Sequence, residues 1–217
     1  DYSKILSKTV VDIKPSGIRK FFDIAETMDD VISLGVGEPD FITPWQISDA
    51  GIKTIKAGKT QYTSNKGLNQ LMDEISRYTE RKYSLKYNPE DEILVTVGGS
   101  EAIDLALRAL VNPGDEVIVP AYTYTASASI LYHIGATPVI IDCAPGSYEM
   151  DYDKMEAAIN EKTKAIIPVD LAGIPCDYAR IFEIVERKKS LFKPVNDIQK
   201  AMGRIAVCAD TAHAFGA

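Results

Sequence analysis

From residue 92 onward, short apolar runs alternate with longer stretches whose apolar residues recur at helical spacing, and this alternation restricts the fold more than any other feature. The runs occupy residues 93–97, 117–119, 138–141, 165–169 and 205–209. Apolar strands of about five residues that alternate with amphipathic helices are typical of parallel sheets buried on both faces. The sequence therefore predicts an α/β fold with a parallel-rich sheet sandwiched by helices.

The pattern before residue 92 is less regular. Residues 18–25 have helical spacing, and residues 31–34 form a short strand-like run. Thr43 predicts the N-cap of a helix that runs to about Gly58, because proline follows it at a favoured first helical position. The polar segment 193–203, near the other end of the chain, predicts a loop between the last helix and the last strand.

Composition excludes several classes of partner. The net charge is -7 with no basic run, which argues against nucleic acid and anionic membranes and leaves small molecules as the expected partners. Cys143, Cys176 and Cys208 are widely spaced and do not have metal-ligand spacing, so reduced thiols in a cytoplasmic protein without a metal are expected. The sequence has no apolar run of about 20 residues. It begins at Asp1 rather than Met, so we expect that the natural start has been lost.

Three places could carry chemistry, and each also has a purely structural interpretation. Gly98–Gly99–Ser100 joins a run to a helix, and such a turn either binds an anion at the helix start or is simply tight. Tyr122 and Tyr124 follow the second run, where an aromatic ring either stacks on a ligand or packs. Asp210 ends the last run and either pairs with a protonated ring nitrogen or caps the next segment.

The chain resembles two groups of aminotransferases that use pyridoxal 5'-phosphate and share the fold type I architecture. Residues from about 30 to 119 resemble class I, the aspartate aminotransferase type, through the stretches ISLGVGEPDF (32–41), QYTSNKG (61–67), VGGSEA (97–102) and NPGDEV (112–117). Residues from about 120 to 217 resemble the DegT/DnrJ/EryC1/StrS sugar aminotransferases through PAYTYTAS (120–127), TKAIIPV (163–169) and ADTAHAFG (209–216). We interpret the junction near residues 112–120 as the result of splicing or recombination.

The resemblance implies two domains and a set of site residues. Residues 1–60 would form an N-terminal arm and a small-domain-like segment, and residues 61–217 an incomplete cofactor-binding large domain. The implied cofactor contacts are the phosphate ligands Gly99, Ser100 and Glu101, the stacking ring Tyr124 (or Tyr122 by the class I pattern), the ring-nitrogen partner Asp210, and His213 beside the ring. Tyr62 would reach the phosphate in a neighbouring subunit, which implies a homodimer, and Gly37 would line the substrate pocket.

The departures from the family pattern concern catalysis. The lysine that forms the Schiff base in these families lies some tens of residues past the aspartate, and no residue of this sequence matches it, so we assign no catalytic residue. The chain alone is therefore expected to be inactive and to need a longer product or a complementing chain. The strands that normally flank the first run are also missing, which would leave residues 93–97 without ladder partners.

Three functions remain open from the sequence. The first is an aminotransferase that moves an amino group between an amino acid and a keto acid or keto sugar. The second is a truncated or chimeric homologue without catalysis. The third is another fold type I reaction, such as that of a lyase or decarboxylase.

Overall fold

The computed structural model describes residues 4–14, 17–32 and 41–215. The chain divides into two compact units, Asp1–Tyr62 and Thr63–Ala217. In its described part, no helix has both the length and the apolar character needed to cross a membrane. Nor do three or more His, Cys, Asp or Glu side chains come together there in a way that could hold a metal ion.

The described residues of the first unit form three helices: α1 (Lys8–Asp12), α2 (Gly17–Glu26) and α3 (Trp45–Lys56). Pro44, rather than the predicted Thr43, is the N-cap of α3, because its carbonyl accepts the first helical bonds from the N–H groups of Ile47 and Ser48. Residues 31–32 form no strand, and the rest of the strand-like run lies outside the described residues. None of the side chains described in this unit is buried.

The second unit is built on a sheet of four parallel strands in the order β2-β1-β3-β4. The strands are β1 (Glu116–Pro120), β2 (Thr137–Ile141), β3 (Thr163–Ile166) and β4 (Ala206–Val207). The helices are α4 (Asn69–Tyr83), α5 (Gly99–Leu110), α6 (Ala126–His133), α7 (Tyr152–Ala158), α8 (Tyr178–Arg187) and α9 (Asp197–Met202). The predicted α/β class with a parallel sheet is confirmed.

The sheet buries both of its faces. Ile118 of β1 and Ile166 of β3 belong to one apolar core, which also contains residues of α7 and α8. Their strand neighbours Val117, Val119 and Ala165 belong to a second core, together with residues of α5 and α6. Successive side chains of a strand point to opposite faces, so these continuous apolar runs place a helical layer on each side of the sheet.

Two sequence predictions in this unit are wrong. Residues 93–97 form no strand; the N–H of Val95 instead donates to the carbonyl of Lys66, because no described strand lies beside this run to complete a ladder. Segment 193–203 contains α9 rather than a loop only. Asn196 caps this helix, and the fully buried Gln199 donates to the carbonyl of Leu110 and to Asp115. Gln199 is the only buried residue of α9, and because it is polar the sequence of this helix shows no apolar stripe.

Candidate functional site

The start of α5 presents a glycine turn with free N–H groups. Gly98 has φ 89° and ψ 165°, a conformation that is available essentially to glycine. A Cβ atom at Gly99 would meet nothing within 4 Å, so the backbone borders open space. The first N–H groups of any helix have no partner within the helix, and they carry its positive dipole end. This turn can therefore hold an anion.

The side chain of Glu101 bonds back to the turn that precedes it. Its carboxylate accepts a hydrogen bond from the backbone N–H of Val97, at 2.5 Å, and this bond closes the turn before α5. A carboxylate placed so near would repel an anion unless it faced elsewhere. Any contribution of Glu101 to anion binding would therefore come from its backbone N–H, and its side chain stabilises the turn.

Asp210 is fixed at the carboxyl edge of the sheet. Its backbone continues the pairing of β3 and β4: its N–H donates to the carbonyl of Pro168, and its carbonyl accepts from the N–H of Asp170. Its Oδ2 accepts from the hydroxyl of Ser127 at 3.0 Å, and its Oδ1 accepts from the N–H of Ala212 at 3.3 Å. The carboxylate is thus held by one donor on each oxygen.

One cleft of about 440 Å³ brings the glycine turn and Asp210 together. Its walls include most of the residues that the resemblance implies: Gly99, Ser100, Tyr122, Tyr124, Asp210 and His213. Glu101 lies instead on an adjoining cavity of about 500 Å³, which shares Ser100 and Tyr124 with the cleft. Tyr62 belongs to the first unit and its side chain is fully exposed. Gly37 lies outside the described residues.

The two candidate stacking rings differ in their freedom. Tyr122 packs against the ring of Tyr148, with the ring centres 5.7 Å apart. Tyr124 is 77% exposed, compared with 55% for Tyr122. Both rings line the cleft, but Tyr124 is the more accessible of the two for a flat ligand. The assignment of Tyr124 as the stacking residue, implied by the sugar-aminotransferase pattern, stays a prediction.

His213 is oriented by an unusual backbone. The N–H of Ala172 donates to Nδ1 of His213 at 3.3 Å. Ala172 adopts the left-handed conformation, with φ 55° and ψ 27°, which a residue with a Cβ rarely takes. Because Nδ1 accepts this bond, the neutral imidazole carries its proton on Nε2. The strained turn therefore selects one tautomer of a histidine that lines the cleft.

A buried polar cluster supports this edge of the sheet from behind. Asp170 is buried, and its Oδ1 accepts from the N–H of Cys176 and from the hydroxyl of Tyr178, both at 2.8 Å. Burial, together with the nearby Asp170, raises the pKa of the Cys176 thiol to about 12. Burial and the bond to Asp170 also raise the pKa of Tyr178. Both groups stay protonated at neutral pH, so they act as fixed donors and packing groups rather than as nucleophiles.

The chemical groups that line the cleft fit pyridoxal 5'-phosphate. Helix N–H groups and the Ser100 hydroxyl suit a phosphate, and a held carboxylate suits a protonated pyridine nitrogen. An accessible aromatic ring suits the flat face of the cofactor.

Sequence reasoning missed Ser127, whose hydroxyl reaches Asp210. A signal was available: Ser127 shares the buried helical stripe of α6 with Ile130, Leu131 and Ile134. A hydroxyl within such a stripe needs a hydrogen-bond partner. The spacing alone could not say which partner it finds.

Known proteins match this chain over most of its length. Residues 49–217 match the model of the DegT/DnrJ/EryC1/StrS aminotransferase family. YugH of Bacillus subtilis, named as an aminotransferase, is 50% identical over 188 residues, which are 85% of this chain and 49% of that protein. The aspartate aminotransferase of Pyrococcus abyssi is 36% identical over 156 residues, which are 71% of this chain and 40% of the relative.

A solved structure agrees with both the fold and the cofactor. A Streptococcus pneumoniae protein named as a sugar aminotransferase, in its PLP form, has 42% identity and a TM-score of 0.68, over 82% of this chain and 43% of its own. The same protein is solved in a PMP form. The predicted resemblance to both groups is confirmed, and pyridoxal 5'-phosphate is the cofactor of these aminotransferases. This chain spans less than half the length of these three relatives.

Proposed function

We propose that this chain, which belongs to the DegT/DnrJ/EryC1/StrS aminotransferase family, contributes the phosphate and ring-nitrogen contacts of a pyridoxal-phosphate aminotransferase. One observation carries the proposal: the glycine turn before α5 and the Asp210 carboxylate line the same cleft. These two features suit opposite chemical ends of the cofactor, an anion and a protonated nitrogen. When bound, the cofactor supplies an electron sink for the amino acid carbon that gives up its proton.

The residues of the cleft would divide the work of binding. The N–H groups at Gly99, Ser100 and Glu101 would hold the phosphate, and Tyr124 would cover one face of the ring. Asp210 would keep the ring nitrogen protonated, because a carboxylate stabilises an adjacent positive charge. His213, with its proton on Nε2, would offer a hydrogen-bond donor beside the ring.

The proposed reaction moves an amino group from an amino acid to a keto acid or a keto sugar. The front part of the chain resembles enzymes of amino acids and the back part resembles enzymes of sugars, so both acceptor classes belong in the assay. We also propose that Tyr62 of a second copy reaches the phosphate, and that a longer product or a complementing chain supplies the Schiff-base lysine of the family. Formation of glutamate from 2-oxoglutarate would separate amino transfer from a lyase or decarboxylase reaction.

Binding of pyridoxamine 5'-phosphate tests the proposal directly. This ligand has the ring and the phosphate but no aldehyde, so it does not react with surface lysines. We expect the wild-type chain to bind it in a calorimetric titration, and Asp210→Ala to weaken binding by about 10- to 100-fold, the usual worth of a hydrogen bond to a charged group. Light scattering on the same sample gives the oligomeric state, with twice 23.8 kDa expected for a dimer.

Asp142→Ala is the matched control, because Asp142 also lies at the carboxyl edge of this sheet, directly after β2, but does not line the cleft. It should change the affinity less than twofold. A wild-type chain that shows no binding would refute the proposal for this polypeptide. If wild type and Asp210→Ala bind pyridoxamine 5'-phosphate with equal affinity, Asp210 does not contribute to the site.

A further inference from the structure

A buried hydroxyl on α6 reaches the carboxylate of Asp210 from a position 83 residues earlier in the chain. Ser127 is 1% exposed, and its Oγ donates to Oδ2 of Asp210 at 3.0 Å. We propose that Ser127 is a positioning residue that fixes the Asp210 carboxylate in the orientation needed by the ring nitrogen of the cofactor. This inference rests on the proposed function of the cleft.

The two oxygens of the carboxylate are held from different elements. Oδ2 is bonded by Ser127 of α6, and Oδ1 by the N–H of Ala212, two residues after Asp210 itself. The second bond is local and moves with Asp210, so it cannot fix the carboxylate relative to the rest of the cleft. The Ser127 bond crosses from one element to another and supplies that reference. Each carboxylate oxygen keeps a further lone pair that can accept an N–H from a ligand.

Ser127 also connects Asp210 to the segment that carries the candidate stacking rings. The hydroxyl of Thr123 donates to Oγ of Ser127 at 3.2 Å. Thr123 lies between Tyr122 and Tyr124 in the chain, so the bond ties the ring-bearing segment to the start of α6. A serine hydroxyl can donate one bond and accept others at the same time, and successive bonds in such a chain strengthen one another.

The position of Ser127 argues against a chance contact. It occupies the apolar stripe of α6 with Ile130 and Leu131, where a hydroxyl without a partner would be costly. Ser127 borders the cleft, but only 1% of its surface is exposed and its hydroxyl is directed at Asp210. Its effect on a ligand in the cleft would therefore pass through Asp210.

A double-mutant cycle on pyridoxamine 5'-phosphate affinity tests this route. The variants are Ser127→Ala, Asp210→Ala and the double variant, each titrated as the full chain. We expect Ser127→Ala to weaken binding about 10-fold in the wild-type background, as for the loss of a hydrogen bond to a charged group. In the Asp210→Ala background the same substitution should change the affinity less than twofold, because the carboxylate through which it acts is gone.

Ser129→Ala is the matched control, since Ser129 lies two residues on in the same helix and is half-buried. It should leave the affinity within twofold of wild type. If Asp210→Ala binds too weakly for calorimetry, the same cycle is measured as the rise in unfolding temperature that millimolar pyridoxamine 5'-phosphate produces.

The outcomes separate this inference from the proposed function. An equal loss from Ser127→Ala in both backgrounds would mean that Ser127 only supports the fold, and would overturn the inference. An unchanged affinity of Ser127→Ala in a chain that binds would overturn it as well. A wild-type chain that does not bind overturns the proposed function, and this inference with it.

Discussion

The two units of this chain differ in whether their apolar side chains are buried. In the second unit, called the sheet unit from here on, Ile118 and Ile166 are fully buried. In the first unit, Trp45 and Ile47 of α3 are 72% and 62% exposed. The start signal at Thr43 and Pro44 predicts α3, as helical spacing predicts the helices that cover the sheet. Local sequence therefore predicts that a helix forms, but burial of its apolar face needs a second layer to pack against.

The largest effect is expected when one isoleucine side chain is shortened to alanine in each unit. Ile118→Ala leaves a cavity in the sheet core and should lower the free energy of unfolding by about 2–5 kcal/mol. Ile47→Ala, on the exposed surface of α3, should change it by less than about 0.5 kcal/mol. Urea unfolding followed by circular dichroism measures both values.

The single tryptophan, Trp45, lies in the first unit and reports on that unit by its fluorescence. Urea unfolding of wild type and of Ile118→Ala, followed by the fluorescence of Trp45, shows whether the first unit unfolds together with the second unit or separately from it. If Ile47→Ala lowers the free energy of unfolding as much as Ile118→Ala does, the side chain of Ile47 must be buried in solution. The contrast between the two units would then be wrong.

The sheet could be predicted from the sequence because its strands repeat one physical pattern. Residues 117–119 and 138–141 are apolar runs in the sequence and strands in the structure, since each has a parallel neighbour that completes its hydrogen bonds. Residues 93–97 have the same apolar character but form no strand. Whether an apolar run becomes a strand depends on neighbours that local sequence does not reveal.

The candidate site was predictable to a similar extent. Gly99 and Asp210 each follow an apolar run, and the rule that ligands collect at the carboxyl ends of parallel strands predicts that both line one cleft. The run before Gly99 is not a strand, so that rule explains the position of Asp210 but not that of Gly99. The hydrogen bond from Ser127 to Asp210 could not be predicted, because it depends on how α6 lies against the end of β4. The turn at Ala172 was equally hidden, because nothing in an alanine indicates a left-handed conformation.

A buried lysine gives a second, smaller test. Lys164 of β3 is 2% exposed, and burial lowers its pKa from the ordinary value of 10.5, against the opposing effect of Asp115. Between its lowered pKa and 10.5 the unfolded chain binds more protons at Lys164 than the folded chain does, so Lys164 contributes a positive slope to the free energy of unfolding against pH. The raised pKa values of Cys176 and Tyr178 contribute slopes of the opposite sign. Lys164→Met should remove the positive contribution and make the slope more negative than in wild type, as measured by unfolding in urea at a series of alkaline pH values.

Lys53 of α3 provides the counterpart from the first unit, because its side chain is well exposed and pairs with Asp49. Lys53→Met is the matched control for replacing a lysine by methionine, and it should change the free energy of unfolding by less than about 0.5 kcal/mol. A Lys164→Met variant that keeps the wild-type slope would show that Lys164 remains hydrated, and that the sheet unit does not bury this charge.

The smallest expected effect concerns the residues that end two helices. Ser84 directly follows α4 with φ 57°, and Gly58 comes two residues after the end of α3 with φ 68°. A left-handed residue thus ends each helix, with a side chain in one unit and none in the other. Ser84→Gly removes the strain of that side chain but adds freedom to the unfolded chain, so it should raise the free energy of unfolding by up to about 1 kcal/mol. Gly58→Ala should weaken α3 alone and leave the circular dichroism transition of the sheet unit in place. If Gly58→Ala shifts that transition, the stability of α3 is coupled to that of the sheet. If Ser84→Gly lowers the free energy of unfolding, the serine side chain stabilises the end of α4 by more than its left-handed backbone conformation destabilises it.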